Sequence, residues 1–440
     1  MNSIPPEYRY INEDFINFDF YRTKHIYDDE SPGYLPDEFP WTGLPGFKFL
    51  FFGYALVVML ANSMGLSRDI DWTDKSLFLI LSTADYHVHQ TGQIAREKPQ
   101  RSVILTRSRY VPSLRDKGLD QVPMVTFSQL LGHADLGSLV SAVRAFRRWS
   151  RDRERDGHDI ERGHANYLFM LFCLSSVFET HGDDIDSVHM SAIRSYVFRA
   201  MPPEKIFLYQ HGRVWDAPDQ LINFGIQCNH VLWGEIFKMQ SAQGKGAILY
   251  GNPWHERLIQ RGAQEADTDT DETECLFLSD LFYYTRMDQD DLLERYLDTL
   301  RWFDAADGCE MRVKLHAGRE LIEDVPRAWL REHVVAGSNE TVIPRADVTI
   351  SQSSSAYYES LVAGVPTILF NELNHVREGI PEAIRALDGV LILDGLDDLS
   401  PEVARRHAEV EVEIAELRAA GIIGEPDIVD RVWARVDTIR

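Results

Sequence analysis

Val348-Thr-Ile-Ser351-Gln-Ser-Ser-Ser355-Ala-Tyr-Tyr-Glu359-Ser-Leu-Val-Ala363-Gly-Val-Pro366-Thr-Ile-Leu-Phe370 passes from a β-branched run through a cluster of serines into a helical stretch, and back to a β-type run. A strand, a helix and a second strand in such close succession form a parallel βαβ unit, because only a crossover helix brings the second strand back in the same direction. Parallel strands are covered on both faces, so they read as short apolar runs without alternation, as residues 367–370 do.

The same alternation continues outward. Upstream lie β-type runs at 275–278 and 311–316, with a long helical stretch at 288–304 between them. Farther back come runs at 77–82, 102–106 and 122–127, helical stretches at 136–153 and 164–181, and runs at 205–210, 230–233 and 247–251. The polar, acidic stretch 262–274 reads as an exposed connection between halves. Downstream, 401–420 and 427–440 are charged, amphipathic helices able to pack back across the junction. The sequence therefore predicts an α/β protein of two doubly wound, Rossmann-like domains, 1–255 with an irregular lead-in and 256–440, facing a central cleft.

A chain of 440 residues with 44% hydrophobic and 26% charged residues is too long for one core and too apolar for disorder. Its formal charge of -24 repels phosphate backbones and argues against nucleic acid as a partner. The dense positive run Arg147-Arg-Trp-Ser-Arg-Asp-Arg-Glu-Arg155 is read as a solvated helix end, with a grip on an anionic lipid carrier or membrane surface as the alternative. Residues 49–61 are apolar but shorter than the roughly 20 residues of a span; they read as a buried helix, with a membrane-touching face as the alternative. The cysteines Cys173, Cys228, Cys275 and Cys309 are far apart and form neither a Cys-x-x-Cys pair nor a zinc pattern. No secretory signal opens the sequence, so the expected location is the cytoplasm, with peripheral contact at the inner face of the membrane as an added option.

Ligands of open α/β sheets bind beyond the carboxyl ends of the strands, so polar residues just after a β-run carry most functional weight. Three clusters qualify. In Tyr209-Gln-His211-Gly212 the glycine permits a sharp turn at the strand tip. His211 is there either a general base for a hydroxyl proton or a hydrogen-bonding partner of a neighbouring loop. In Lys314-Leu-His316-Ala-Gly318, alternation puts Lys314 and His316 on one side of an extended strand, suited to a phosphate oxygen or to a structural salt bridge. In Ser353-Ser354-Ser355, hydroxyls and backbone N–H groups at a helix start suit an anion, whereas plain capping needs one serine. Glu359 lies one turn beyond Ser355, on the same face of that helix.

Taken together, these clusters resemble the GT-B glycosyltransferases of surface polysaccharide biosynthesis, in the branch of polysialyltransferases, Kdo transferases and teichoic-acid polymerases. Lys314-Leu-His316 is similar to that group's Lys-x-His-Pro motif, with Ala317 in place of the proline, and Ser353-Ser-Ser355 is similar to its Ser-Ser motif. Tyr209-Gln-His-Gly212 falls where teichoic-acid polymerases carry a His-Gly base and sialyltransferase relatives an acidic one. The resemblance covers residues 205–371. It implies a metal-independent transferase without a cofactor, taking a nucleotide-sugar donor, CMP- or CDP-linked by analogy, and a glycan or lipid-linked acceptor. His211 is the implied base, Lys314, His316, Ser353, Ser354 and Ser355 the phosphate holders, and Glu359 the holder of a nucleotide hydroxyl. Transfer of a polyol phosphate from a CDP-polyol, and a non-catalytic assembly role, are the alternatives.

Overall fold

The computed structural model describes residues 70–81, 85–130, 173–174, 176–178, 180–191, 201–210, 228–237, 247–265, 272–279, 290–315, 325–352, 356–370 and 380–440, with residues 137, 140, 151, 281, 322 and 354 singly. The apolar run 49–61, the basic run from Arg147 and most of the two helical stretches around it lie outside the described residues, Arg151 excepted.

Among the described residues, twelve strands form two parallel sheets. The first contains β1 (Lys75–Leu79), β2 (Ser102–Thr106), β3 (Met124–Thr126), β4 (Ile185–Met190), β5 (Ile206–Tyr209), β6 (Asn229–Leu232) and β7 (Ile248–Tyr250), in the order β3-β2-β1-β4-β5-β6-β7. The second contains β8 (Thr273–Leu278), β9 (Cys309–Lys314), β10 (Val348–Ser351), β11 (Thr367–Phe370) and β12 (Val390–Leu393), in the order β12-β11-β10-β8-β9. Strand order reverses between β1 and β4 in the first sheet and between β8 and β10 in the second, so both are doubly wound as the sequence predicts. Burial follows position. The interior strands β1, β2, β4, β5, β10 and β11 are buried along nearly their whole length, whereas β9, at an edge, alternates buried and half-buried residues.

Strand β4 does not read as a strand in the sequence, because Ile185-Asp-Ser-Val-His-Met190 is half polar. All six residues are nonetheless buried, and every polar one is satisfied. Asp186 meets Arg101 at 3.2 Å and Arg440 at 3.0 Å. The Ser187 hydroxyl donates to Ser76 Oγ at 2.7 Å and lies 2.8 Å from His189 Nε2. His189 Nδ1 lies 2.8 Å from the Tyr209 hydroxyl. A neutral imidazole satisfies this chain throughout, with Nε2–H donating to Ser187 and Tyr209 O–H donating to Nδ1. The ring is stacked between Phe78 and Phe207, at 4.2 and 4.6 Å between centroids. Burial drives its pKa down to about 3.

The Pro253–Glu265 helix lies between the two sheets' layers. Trp254 stacks on His89 of the Asp85–Glu97 helix at 5.4 Å, on the first-sheet side. On the other side Arg257 and Arg261 reach Glu340 at 2.6 and 3.4 Å. Gly262, expected in an exposed connection, is instead buried in this helix. A Cβ added there would stand 1.9 Å from the Ala363 carbonyl oxygen, so the two backbones touch. The connection is accordingly shorter than its composition suggests.

The expected 401–420 helix is two helices, Pro401–Ala408 and Ile414–Ala419. Glu409-Val-Glu-Val-Glu413 separates them, and its β-branched alternation favours extended chain. Val412 then packs over Gly389. The following segment is laced to the ends of β6 and β7. Gly424 N donates to Trp233 O at 2.6 Å, and Glu425 N to Tyr250 O at 3.2 Å. The Ile428–Ile439 helix then lays Ile428, Val432, Trp433 and Val436 against Phe78, Phe207 and Tyr209 of the first sheet. Trp433 Nε1 donates to the Ile94 carbonyl at 2.9 Å, and Lys98 and Arg101 lie over its ring. Among the described residues, no helix is long and apolar enough to cross a membrane.

Two stability measurements follow from this packing. The folded-state pKa of His189 lies below its ordinary value of 6.5, so its contribution is complete above pH 6.5 and is lost as pH falls toward 3. His189→Phe should cost about 1–3 kcal/mol at pH 7.5 through the two stranded hydroxyls. The gap to wild type should then narrow by on the order of 2 kcal/mol at pH 5.0; urea unfolding at the two pH values with an unchanged gap would contradict this. Gly262→Ala raises helix propensity, yet should destabilise by about 1–3 kcal/mol because the methyl meets a carbonyl oxygen. A gain in melting temperature would refute the contact.

Candidate functional site

The C-terminal edge of the second sheet gathers the described members of the predicted site. Leu278 pairs with Lys314 across β8 and β9, and Phe277 pairs with Ile350 across β8 and β10. Lys314, Leu278 and Ser351 therefore end three adjacent strands in one row. At about 4.8 Å per strand, the Lys314 and Ser351 backbones stand roughly 10 Å apart. The order reversal between β8 and β10 falls within this row, which makes it the switch-point crevice of the sheet. Strand β9 ends at Lys314, two residues short of the expected 316, so strand alternation does not set the relation of Lys314 to His316. The Lys314 ammonium donates to the Leu315 carbonyl at 3.1 Å.

Past β10 the chain turns on its own hydroxyls. Ser351 is fully buried, and its Oγ accepts from Ser354 N at 3.1 Å. The Ser354 Oγ accepts from Ala356 N at 3.2 Å. Serine hydroxyls that take backbone N–H groups a few residues on give the turn without help from glycine. The helix then runs over Tyr357–Val362, with Ala356 at its cap. The shared-face expectation for Glu359 falls on residue 355, which lies outside the described residues.

Of the six residues of the Tyr357–Val362 helix, all but Glu359 are buried. Glu359 Oε2 accepts a 2.7 Å hydrogen bond from the Asn339 amide. Asn339 opens a short helix, Asn339–Val342, and its neighbour Glu340 takes the two arginines of the Pro253–Glu265 helix.

On the first sheet, the buried Gln210 follows β5 and is held at both ends. Gln90 Nε2 donates to its carbonyl at 3.1 Å, and its own Oε1 accepts from Trp233 N at 2.9 Å. Trp233, just past β6, then meets the Tyr358 ring at 5.4 Å and the His255 ring at 5.3 Å. Since Tyr358 lies in the helix that follows β10, the C-terminal ends of the two sheets meet here. Burial, with Arg418 nearby, lowers the His255 pKa to about 3, so this imidazole is a neutral packing element.

Of the predicted site residues, Lys314, Ser354 and Glu359 are placed along the C-terminal edge of the second sheet. His211, His316, Ser353 and Ser355 lie outside the described residues. Sequence reasoning missed Asn339, Gln90 and Gln210. Gln210 sat inside the Tyr209–Gly212 motif already singled out but was given no role, whereas the partners of Asn339 and Gln90 are distant in sequence and left no local signal.

No family model matches the chain, and no curated protein matches it. Solved structures similar to it include the wall teichoic acid polymerase TagF, 12% identical, covering 89% of this chain and 96% of that one, with a TM-score of 0.45. Another is Anabaena HepE in complex with UDP and glucose, 11% identical, covering 83% and 99%, with a TM-score of 0.49. A third, described as a Listeria monocytogenes UDP-N-acetylglucosamine 2-epimerase, is 11% identical, covering 83% and 96%, with a TM-score of 0.47.

Proposed function

We propose that the chain is a GT-B-type glycosyltransferase, with residues 1–255 as the acceptor-side unit and 256–440 as the donor-side unit. The observation that carries the reading is the junction at Trp233 and Tyr358, where the carboxyl ends of two doubly wound sheets meet. Such ends are where open α/β sheets bind ligands, and two of them together accommodate two substrates. The His-Gly pair follows β5 in sequence on one side, and Lys314, Ser354 and Glu359 belong to the other.

In this reading the acceptor hydroxyl oxygen bonds to the anomeric carbon as the bond from that carbon to the nucleotide phosphate oxygen breaks. His211 takes the hydroxyl proton. The electron pair leaves with the phosphate, whose charge is met by Lys314, His316 and the hydroxyls of Ser353, Ser354 and Ser355. Glu359 accepts from a nucleotide hydroxyl. The acceptor is a surface glycan or lipid-linked glycan, reached from the cytoplasmic face of the membrane, and the donor is CMP- or CDP-linked. The His211-Gly212 pair favours a second reading of the same site, transfer of a polyol phosphate from a CDP-polyol.

Thermal shift with CMP, CDP, UDP and GDP tests the nucleotide site, since a ligand at one hundred times its Kd stabilises by about 2.7 kcal/mol. Stabilisation by the cytidine nucleotides is the expected result, stabilisation by UDP or GDP alone reassigns the donor, and no shift with any of them overturns the reading. His211→Ala should abolish transfer and leave the shift in place; loss of the shift would remove His211 from the base role. Phosphorus in the extended acceptor would select polyol-phosphate transfer.

A further inference from the structure

We infer that Arg107 forms an anion-binding site at the C-terminal edge of the first sheet, built for a carboxylate or phosphate group. The residue directly follows β2, whose end is joined to that of β1 where Thr106 Oγ1 donates to the Ile80 carbonyl at 2.7 Å. Since β1 flanks the order reversal, Arg107 stands at the crevice where a doubly wound sheet takes its ligands. It is 8% exposed, and among the described residues it is the only arginine or lysine so deeply buried. Among those residues its guanidinium has no hydrogen-bond or ion-pair partner. Nε is sealed from solvent without an acceptor, and the Nη atoms keep the remaining contact with solvent.

A buried charge without a counter-charge is costly, and this fold elsewhere avoids the cost. Arg101 is answered by Asp186 and Asp437, Arg257 by Glu340, Arg418 by Glu256 and Arg440 by Asp186. With 69 acidic residues against 45 basic ones, scarcity of carboxylates does not explain an arginine left without one. What accompanies Arg107 is the Tyr110 ring at 5.8 Å, over which Arg109 also lies, at 4.8 Å. A ring face offsets part of the desolvation of a cation but leaves its N–H donors unmet. Those donors form a planar fork that matches two oxygens of a carboxylate or phosphate. Under the proposed function the first half holds the acceptor, which is then acidic; this last step, unlike the anion site itself, rests on that reading. β5, which His211 follows in sequence, lies three strand spacings from β2, roughly 14 Å. Arg107 accordingly binds a part of the acceptor apart from the reacting hydroxyl.

Ligand-observed NMR titrations at constant ionic strength test the site, with inorganic phosphate, methyl β-glucuronide and, as the neutral counterpart, methyl β-glucoside. Wild type should bind phosphate or the glucuronide on the order of tenfold more tightly than the glucoside, the scale of a hydrogen bond to a charged group. The better of the two identifies the group as phosphoryl or carboxylate. Arg107→Met should bring both anions down to the level of the glucoside. In phosphate-free buffer it should also melt higher than wild type, because an uncompensated buried charge is gone. Arg107→Gln, neutral as well, takes its place should that variant fail to fold. Failure of both, or a lowered melting temperature, would make the guanidinium structural and overturn the inference. So would anions that bind wild type no better than the glucoside, or a preference that survives in Arg107→Met. The thermal shift with cytidine nucleotides should be the same in wild type and Arg107→Met; its loss would put the donor phosphate at Arg107 and overturn a separate site. A wild type that binds no nucleotide yet shows the Arg107-dependent preference overturns the functional reading alone and leaves the anion site standing.

Discussion

The carbonyl oxygen of Ala363 occupies the space that a side chain on Gly262 would need, and much of the arrangement between the halves is tied to that contact. Backbone-to-backbone approach seats the Pro253–Glu265 helix deeply against the Ala363–Gly364 turn, which closes the crossover between β10 and β11. With the helix at that depth, Trp254 reaches His89 on one side and Arg257 reaches Glu340 on the other. The aromatic junction of Trp233, His255 and Tyr358 then closes around its first turn. A bulkier residue at one position would therefore act on the spacing of both sheet edges, because packed interiors transmit displacement and do not absorb it.

The second organising feature is polar and buried. A parallel sheet with covers on both faces ordinarily fills its central strands with Val, Ile and Leu. Here β4, the strand beside the order reversal, carries Asp186, Ser187 and His189 in the interior, and each is answered by a specific partner. Such a network tolerates little, since a polar group without its partner costs more in a low dielectric than its bond returns. It also ties β1, β4 and β5 through Ser76, Ser187, His189 and Tyr209, so a register slip in any of these strands would break it.

The sequence made the apolar strands legible because parallel strands advertise themselves as short aliphatic runs; residues 348–351 and 367–370 coincide with β10 and β11. It concealed β4, whose composition obeys tertiary partners rather than strand patterning; β12, Val390-Leu-Ile-Leu393, is an aliphatic run of the legible kind that the reading of the sequence passed over. The 262–274 linker was misjudged for a related reason. Gly262 looks like flexible chain in one dimension and is a contact point in three. In the candidate site, Lys314, Ser354 and Glu359 could be singled out from their place after β-runs. Asn339 and Gln90 could not, since the carboxylate and the carbonyl that they hold are 20 and 120 residues away.

The return of the Ile428–Ile439 helix to the first sheet imposes an order on biosynthesis. Trp433 completes the cover over Phe78 and Phe207 and caps a carbonyl 339 residues upstream. Chains emerge from the ribosome at about 5–20 residues per second, and the earlier half ordinarily folds first. Here the part of the first sheet's face that Ile428, Val432, Trp433 and Val436 cover must wait for the second half to be made, whereas Val88, Ile94 and Ala95 of the Asp85–Glu97 helix cover its neighbouring part from the start.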